Sequence, residues 1–546
     1  MSEKSFLLEV LTEEIPSIFL PNTCSELEEK LTLLFKEQRI EYGELSVYAT
    51  PRRLVALGSI DSKQHDTIKK VVGPPLKVAY DSEGRPTKAC IGFAKSQGVD
   101  VEELIVEKTE KGEYVVAQLR LKGRDTKTIL SEALPKLILG LHFPKSMRWG
   151  NSNIRFARPI HNIVAIIGGE VIDFTMDGIK SCMNSRGHKF LSPEEFKVVG
   201  VSDYEELLRE HYVILNQHER RNKIEKELHH IAGRLGCKLH YDDELLETVT
   251  YLTEYPVAVF GSFDKTYLRL PKELLITSMK SHQKFFSLED ERGELKPYFI
   301  TISDTKEENS GNVRKGAERV LRARLEDAAF YYEEDKAVPL RERIDDLKHV
   351  IFYEKLGTLY EKAERIADSA EKIVDKIGLK IPNIRLGAML SKADLITGII
   401  REFPELQGYM AMIYAKESGE DEELCRALYE HYMPKSANDT LPSTDLGSIL
   451  SIADKLDNIV GLFGIGEEPT GSEDPFALRR QAIGIINILL KKAYPITIES
   501  LVDIASEELR DKITIDNRRR MDILEFFDHR FESMLIADGY RYDEVD

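Results

Sequence analysis

The sequence predicts a multidomain α+β protein, with an N-terminal body that contains antiparallel sheet followed by an all-α region. Two hairpin signals with glycine at the turn lie in the N-terminal part. The hydrophobic period becomes helical from about Ala317 onward. A chain of 546 residues also exceeds what one ordinary core accommodates, so several domains are expected.

Residues 6–10 read as a short apolar strand, and Thr12 is placed to cap a helix whose first turn carries Glu13 and Glu14. Residues 54–60 and 115–121 are strand-like. Residues 163–167 and 171–174 flank Gly168-Gly169, a turn that suits a two-residue hairpin. Residues 285–288 and 298–302 flank a polar turn containing Gly293. Adjacent hairpins favour antiparallel sheets over a doubly wound parallel sheet. Beyond them Leu340, Ile344, Leu347 and Ile351, then Leu359, Ala363, Ile366, Ala370 and Ile373, continue an amphipathic helical pattern. Helical segments follow at 385–402, 421–431, 446–462 and 476–492, joined through Pro404, Pro434, Pro442 and Gly464 to Gly466. The reading divides the chain into a body at 1–335, an all-α domain at 336–500 and the start of a helical tail at 501–546. It contains no internal repeat and no low-complexity segment.

The composition, 42% hydrophobic and 31% charged, is that of a globular protein. No apolar run approaches the roughly 18 residues that span a bilayer. The start, MSEKSFLLEVLTEEIP, has too short an apolar core for a secretory signal. Five scattered cysteines (Cys24, Cys90, Cys182, Cys237, Cys425) with no CxxC predict reduced thiols in a cytoplasmic protein. They argue against a disulfide framework and a zinc ribbon.

The stretch 312–335, NVRKGAERVLRARLEDAAFYYEED, concentrates Arg314, Lys315, Arg319, Arg322 and Arg324 in a chain whose formal charge is -18. An acidic chain cannot attract a polyanion with its overall field, so nucleic-acid binding has to rest on such local clusters. Leu321, Leu325, Ala328 and Tyr332 form the buried stripe of the same helix. Glu318 to Arg322 and Arg322 to Glu326 are i,i+4 pairs, so the spacing fits mutual neutralisation as well as phosphate contact. Arg479 and Arg480 form a second candidate group, after Asp474, which is placed to cap a helix beginning at Pro475. They read either as phosphate ligands or as salt-bridged arginines that position the domain. Lys280, His282, Lys284 and Phe285 interleave cations with an aromatic ring, an arrangement that stacks an unpaired base or simply leads into a hairpin. Arg52 and Arg53 follow Pro51 at a strand start and fit structural pairing or phosphate contact. Trp149, the only tryptophan, reads as core or subunit interface, and EFPELQG (402–408) as a helix ended at Pro404.

Catalytic signatures are missing from the sequence. There is no GxxxxGK[ST], no HExxH, no GxSxG and no zinc-spaced His/Cys set. Gly461, Gly464 and Gly466 follow a helix instead of opening one, which fits a helix C-cap better than a dinucleotide fingerprint. Asp394, His431, Asp454 and Asp457 are weak candidates for a divalent metal on the inner faces of helices. Residue 393 is Ala where a histidine would serve, and internal polar contacts are the alternative.

Many motifs in consistent order carry a family resemblance. They include TPRRLVA (50–56), IGFAKSQG (91–98), MRWG (147–150), FARPIHNIVA (156–165), SRGHKF (185–190), LTEYPVAVFGSFD (252–264), LPKELLITSMKSHQKFF (270–286) and VRKGAERVLRARLEDA (313–328). The helical half adds SKADLITGIIREFPELQG (391–408), EHYMP (430–434), ADKLDNIVGLFGIG (453–466) and PTGSEDPFALRRQAIG (469–484). Together they resemble the β subunit of bacterial two-subunit glycyl-tRNA synthetase. The resemblance implies an α2β2 ligase in which a separate α subunit holds the class II active site and uses ATP and Mg. The β subunit would bind and position tRNA(Gly), with no catalytic residue of its own and no complete active site. It also implies that the all-α domain is HD-like, related to metal phosphohydrolases. Ala393-Asp394 stands where the paired His-Asp would be, so the fold carries over and metal-dependent hydrolysis does not. An HD-type phosphohydrolase and a purely structural assembly subunit are the alternatives. Family members usually continue into a helical anticodon-binding domain. The sequence stops at Asp546, shortly after the basic amphipathic segment 517–535, so that module is expected to be largely absent.

Overall fold

The computed structural model describes residues 3–109, 112–436, 439–471 and 473–542. They fall into two compact units: Met1–Gly261 with Lys284–Glu294 and Tyr298–Ala317, and Ser262–Gln283 with Leu295–Pro297 and Glu318–Asp546. The protein is mixed α and β, with antiparallel sheets in the N-terminal part and helices in the C-terminal part.

In the first unit, strand Glu3–Thr12 is central in its sheet, and from Phe6 to Thr12 both its faces are buried. Phe6, Leu8 and Val10 enter one core, while Leu7 enters another on the opposite face. Its sheet runs in the order Tyr42–Thr50, Arg53–Asp61, Glu3–Thr12, Ile160–Ile167, Glu170–Val171, with every pairing antiparallel. Helix Leu20–Glu37 packs on the first face through Leu20, Leu27, Leu31 and Phe35. Helix Tyr204–Glu210 packs on the second through Tyr204 and Leu208. Gly168 (φ 55°) and Gly169 (φ 81°) close the hairpin the sequence predicts, since consecutive left-handed residues match the twist of the strands. The helix expected to be capped by Thr12 does not form. Thr12 instead ends the strand, its Oγ1 donating to the Glu13 carbonyl at 2.7 Å. Pro16 disfavours helical backbone at Ile15, and the helix begins only at Leu20.

A second sheet runs Lys238–Leu239, Phe286–Glu289, Leu295–Asp304, Pro256–Ser262, with Gly293 (φ 77°) in its central turn. Helices Gln217–Arg234 and Asp243–Leu252 cover it through Ile224, Leu228, Leu245 and Val249. A third, antiparallel sheet runs Thr67–Pro75, Gly112–Leu121, Ile105–Thr109.

In the second unit, helix Asp445–Ile465 is buried along most of its length. Helix Leu359–Ile377 opens with a Thr358/Glu361 capping box and ends at Gly378 in the left-handed region. The continuous helix suggested by 340–351 is broken: a turn of helix, Leu340–Arg343, is followed by a small antiparallel ribbon of Ile351–Tyr353 with Gly357–Thr358. Segment 385–402 is also broken, into Ile384–Leu390, Ala393–Ile396 and Gly398–Glu402. Thr397 caps the last piece, and buried Asp335 accepts the amides of Gly398 and Ile399, each at 2.9 Å. The division between units falls inside helix Ser310–Lys336, at Ala317 and Glu318, where the hydrophobic period of the sequence becomes helical. Leu321, Leu325, Ala328 and Tyr332 make the buried stripe, and Tyr332 stacks on Tyr414 with ring centroids 6.0 Å apart.

All five cysteines are free, with Cys24, Cys90 and Cys425 buried. Trp149 is partly buried against the first core. Among the described residues, no helix is long and apolar enough to cross a membrane.

Candidate nucleic-acid interface

Helix Ser310–Lys336 sets its cations by register. Lys315, Arg319 and Arg322 recur at intervals of four and three, so they share one helical face, and all three are exposed. None has a carboxylate within ion-pair distance among the described residues. The neutralising i,i+4 pairs do not form. Glu318 turns away and accepts from the Ser262 amide at 3.0 Å and its hydroxyl at 3.3 Å. Two other arginines of the stretch are already engaged. Arg324 donates to Glu402 at 3.0 Å. The Arg314 guanidinium lies 4.1 Å from the Phe260 ring centroid, with its Nε buried and without a hydrogen-bond partner.

Asp474 caps its helix, accepting the amides of Leu478 (2.8 Å) and Arg479 (3.0 Å), although the helix begins at Leu478 and not at Pro475. Arg479 donates to the Gly471 carbonyl at 2.7 Å, whereas Arg480 is exposed with no ion pair among the described residues.

The segment carrying Lys280, His282, Lys284 and Phe285 is not a stacking platform. Phe285 is buried and stacks on Phe299 at 4.6 Å, so its faces are used by the core. Lys280 and Lys284 each already hold an interaction within the chain. His282 is exposed, 3.8 Å from Glu402. Glu402 thus faces both Arg324 and His282, and Pro404–Leu406 is a single turn that ends the helix before it, as read from the sequence.

Arg53 is a correction. It is fully buried, donating to Glu254 at 2.9 Å and to the carbonyls of Arg186 (2.9 Å) and Gly187 (3.2 Å), with Glu9 at 3.6 Å. Such a guanidinium holds the body together and cannot reach a phosphate. Arg52 is buried beside it.

The metal candidates also prove to be occupied. The Lys392 ammonium lies 2.7 Å from Asp454, 3.2 Å from His431 Nε2 and 3.3 Å from the Tyr432 hydroxyl, so all three of its N–H groups have acceptors. His431 Nδ1 is 2.7 Å from the Leu428 carbonyl, which fixes that nitrogen as the donor and leaves Nε2 to accept from Lys392. Burial, then the neighbouring Lys392 charge, hold the imidazole well below its ordinary range. Asp457 accepts from Lys362 at 2.8 Å and from Arg365 at 2.6 and 3.1 Å, while Asp454 is also 3.1 Å from Lys362. Burial alone would raise both aspartates, but the ammonium and guanidinium groups hold them below the usual carboxylate range. Asp394 accepts the Gly408 amide at 2.6 Å, and burial pushes its carboxyl up to about 6. These donors do not fit a divalent cation, because protein cations already fill the positions between them, and among the described residues no acidic, His or Cys cluster is arranged to hold a metal.

The sequence matches the family described as glycyl-tRNA synthetase beta subunit over residues 6–546. The chain belongs to the glycyl-tRNA synthetase β-subunit family. It is 47% identical to the glycine–tRNA ligase beta subunit of Syntrophus aciditrophicus over 542 residues, covering 99% of this chain and 79% of that one. It is 45% identical to the corresponding subunit of Geobacter metallireducens (100% and 79% covered). With that of Clostridioides difficile it shares 42% identity over the same shares. The β-subunit family is part of an aminoacyl-tRNA synthetase.

In this β-subunit family chain, sequence reasoning missed the cations that occupy the candidate metal site. Lys362 lies three residues after Leu359 and four before Ile366, on the apolar stripe of its helix, and Arg365 directly precedes Ile366, which was the available signal that they face inward.

Proposed function

We propose that this chain is the tRNA-binding subunit of a cytoplasmic glycine–tRNA ligase. It binds and positions tRNA(Gly) for ATP-dependent glycylation at an active site carried by a separate α subunit, in an α2β2 assembly. ATP and Mg are handled by the α subunit. The observation that carries the reading is the row Lys315, Arg319 and Arg322: three exposed cations on one helical face, uncompensated by carboxylates among the described residues, on a chain of formal charge -18. Condensed counterions released from RNA by such a row favour binding, and the acidic remainder of the surface opposes docking elsewhere. The Lys392 ammonium between Asp454 and His431 favours this reading over a metal-dependent phosphohydrolase.

The test is a mobility-shift titration of the chain with tRNA(Gly) over a range of salt, with and without the α subunit. Binding with a steep salt dependence is expected, with glycyl-tRNA formed only once the α subunit is added. Replacing Arg319 and Arg322 by Gln removes two phosphate contacts and lowers the log–log salt slope by roughly 1.5, a loss of about 30-fold in affinity at 0.1 M salt. Glycylation by the chain alone, or an unchanged slope in the double variant, would overturn the proposal.

A further inference from the structure

The first unit contains a cavity of about 860 Å³ whose walls include Tyr212, Tyr255, Phe260, Arg234, Lys306 and Arg314. This volume lies within the range of sites for small ligands and nucleotides. We propose that the cavity receives one unpaired nucleotide of the bound RNA, its base against the tyrosine rings and its phosphate on Arg314, Lys306 and Arg234. The proposal rests on the reading of the chain as a tRNA binder and adds a pocket to it.

The first support is Arg314. It is paired with no carboxylate among the described residues, its guanidinium carbon lies 4.1 Å from the Phe260 ring centroid, and its buried Nε has no hydrogen-bond partner. A cation held over a ring, with a donor unspent, suits an incoming anion. A second support is the aromatic pair. Tyr212 and Tyr255 meet edge to face with centroids 5.4 Å apart, and the Lys306 ammonium is 4.3 Å from the Tyr212 centroid. Aromatic rings beside cations are the means by which proteins hold unpaired bases.

The placement of Tyr212 adds a third. Helix Tyr204–Glu210 ends with the amide of Val213 bonded to the Leu208 carbonyl, and Tyr212 occupies the left-handed position (φ 60°) that usually falls to glycine. A bulky residue occupies that position against backbone preference, and it lines the cavity.

The acids do not cancel the cations. Glu227 is used by the Ala258 amide and by Lys223, which also donates to the Pro256 carbonyl at 2.8 Å. Glu307 and Glu308 are exposed at the rim. Set against Arg234, Lys306 and Arg314, they leave one net positive charge, too little for a general polyanion track and consistent with a single phosphate.

The experiment compares wild type with Arg314→Gln, Arg234→Gln and Tyr212→Leu in three binding titrations: with tRNA(Gly), with a blunt RNA duplex of similar length, and with AMP followed by saturation-transfer NMR. Each variant should weaken tRNA(Gly) roughly tenfold. Blunt-duplex affinity should stay within twofold, and the AMP signal should be lost. The arginine variants keep the test decisive if Tyr212→Leu folds poorly. Equal weakening for tRNA and duplex would make the cavity a diffuse basic patch and overturn the proposal, as would unchanged tRNA binding. If wild type binds neither RNA, the tRNA reading fails by itself. The AMP arm then decides the cavity: saturable binding abolished by Arg314→Gln sustains it, and no binding sinks it.

Discussion

Replacing Lys392 by Met probes what holds the helical unit together. The side chain is 3% exposed, and its ammonium is shared among Asp454, His431 and Tyr432. Methionine has nearly the same volume, so packing changes little. The cost is electrostatic: Asp454 remains buried and keeps only Lys362, at 3.1 Å. Removing one partner of a buried ion pair costs about 3–5 kcal/mol, and the surviving Lys362 contact places this variant near the lower end, about 3 kcal/mol. Urea unfolding followed by far-UV circular dichroism reads that loss as a lower midpoint at unchanged slope. A double variant, Lys392→Met with Asp454→Asn, removes the stranded charge and should recover at least half of the deficit. That recovery, added to the cost of Asp454→Asn alone, gives a coupling of about 2 kcal/mol or more between the sites. A single-variant loss below about 1 kcal/mol, or strictly additive substitutions, would refute the view that Lys392 is the cation of this site.

Asp394 gives a pH signature. Burial raises its carboxyl to about 6 in the folded chain from an ordinary 3.8, so the folded state binds the proton more tightly. Its contribution to stability is complete below about pH 4 and is lost as pH rises through about 6, amounting to roughly 3 kcal/mol. The stability difference between Asp394→Asn and wild type should therefore grow in favour of the variant from pH 4 to 7, and a flat difference contradicts it. Arg53→Met should destabilise the body by about 3 kcal/mol or more while leaving the salt slope of tRNA binding unchanged among folded molecules. Arg324→Gln, which breaks a half-exposed pair with Glu402, should cost less than about 1 kcal/mol by the same urea assay and also leave that slope unchanged.

The elements that sequence made legible were those with local causes. Gly168-Gly169 and Gly293 supply positive φ at hairpin turns, and the hairpins form there. Leu321, Leu325, Ala328 and Tyr332 recur at helical spacing, and the helix buries them. The errors came from partners distant in the chain. Thr12 is a good cap in isolation, but its pairing with Ile160 in a distant strand decides its conformation. Arg53 looked like its neighbour Arg52 until Glu254, 201 residues away, claimed it. Phe285 looked available until the facing strand brought Phe299 against it. Lys362 and Lys392 carry the charge expected of surface residues, and only the folded helices bring Asp454 and Asp457 to them. In the candidate interface, the register of the cations was readable from spacing, but which of them remain unspent was not.

The Glu318 side chain, anchored to the amide and hydroxyl of Ser262, has an effect beyond its own bonds. An acid one turn from two arginines would ordinarily quench them, and here it is tied back. Its neighbours Lys315, Arg319 and Arg322 therefore keep their charge unspent on a chain of formal charge -18. In the proposed tRNA-binding role, repulsion by the acidic remainder of the chain becomes a guide, because an RNA arriving in a wrong orientation meets like charge. Dilute salt sharpens both the pull and the expulsion, so the fidelity of landing, and not only its strength, follows ionic strength.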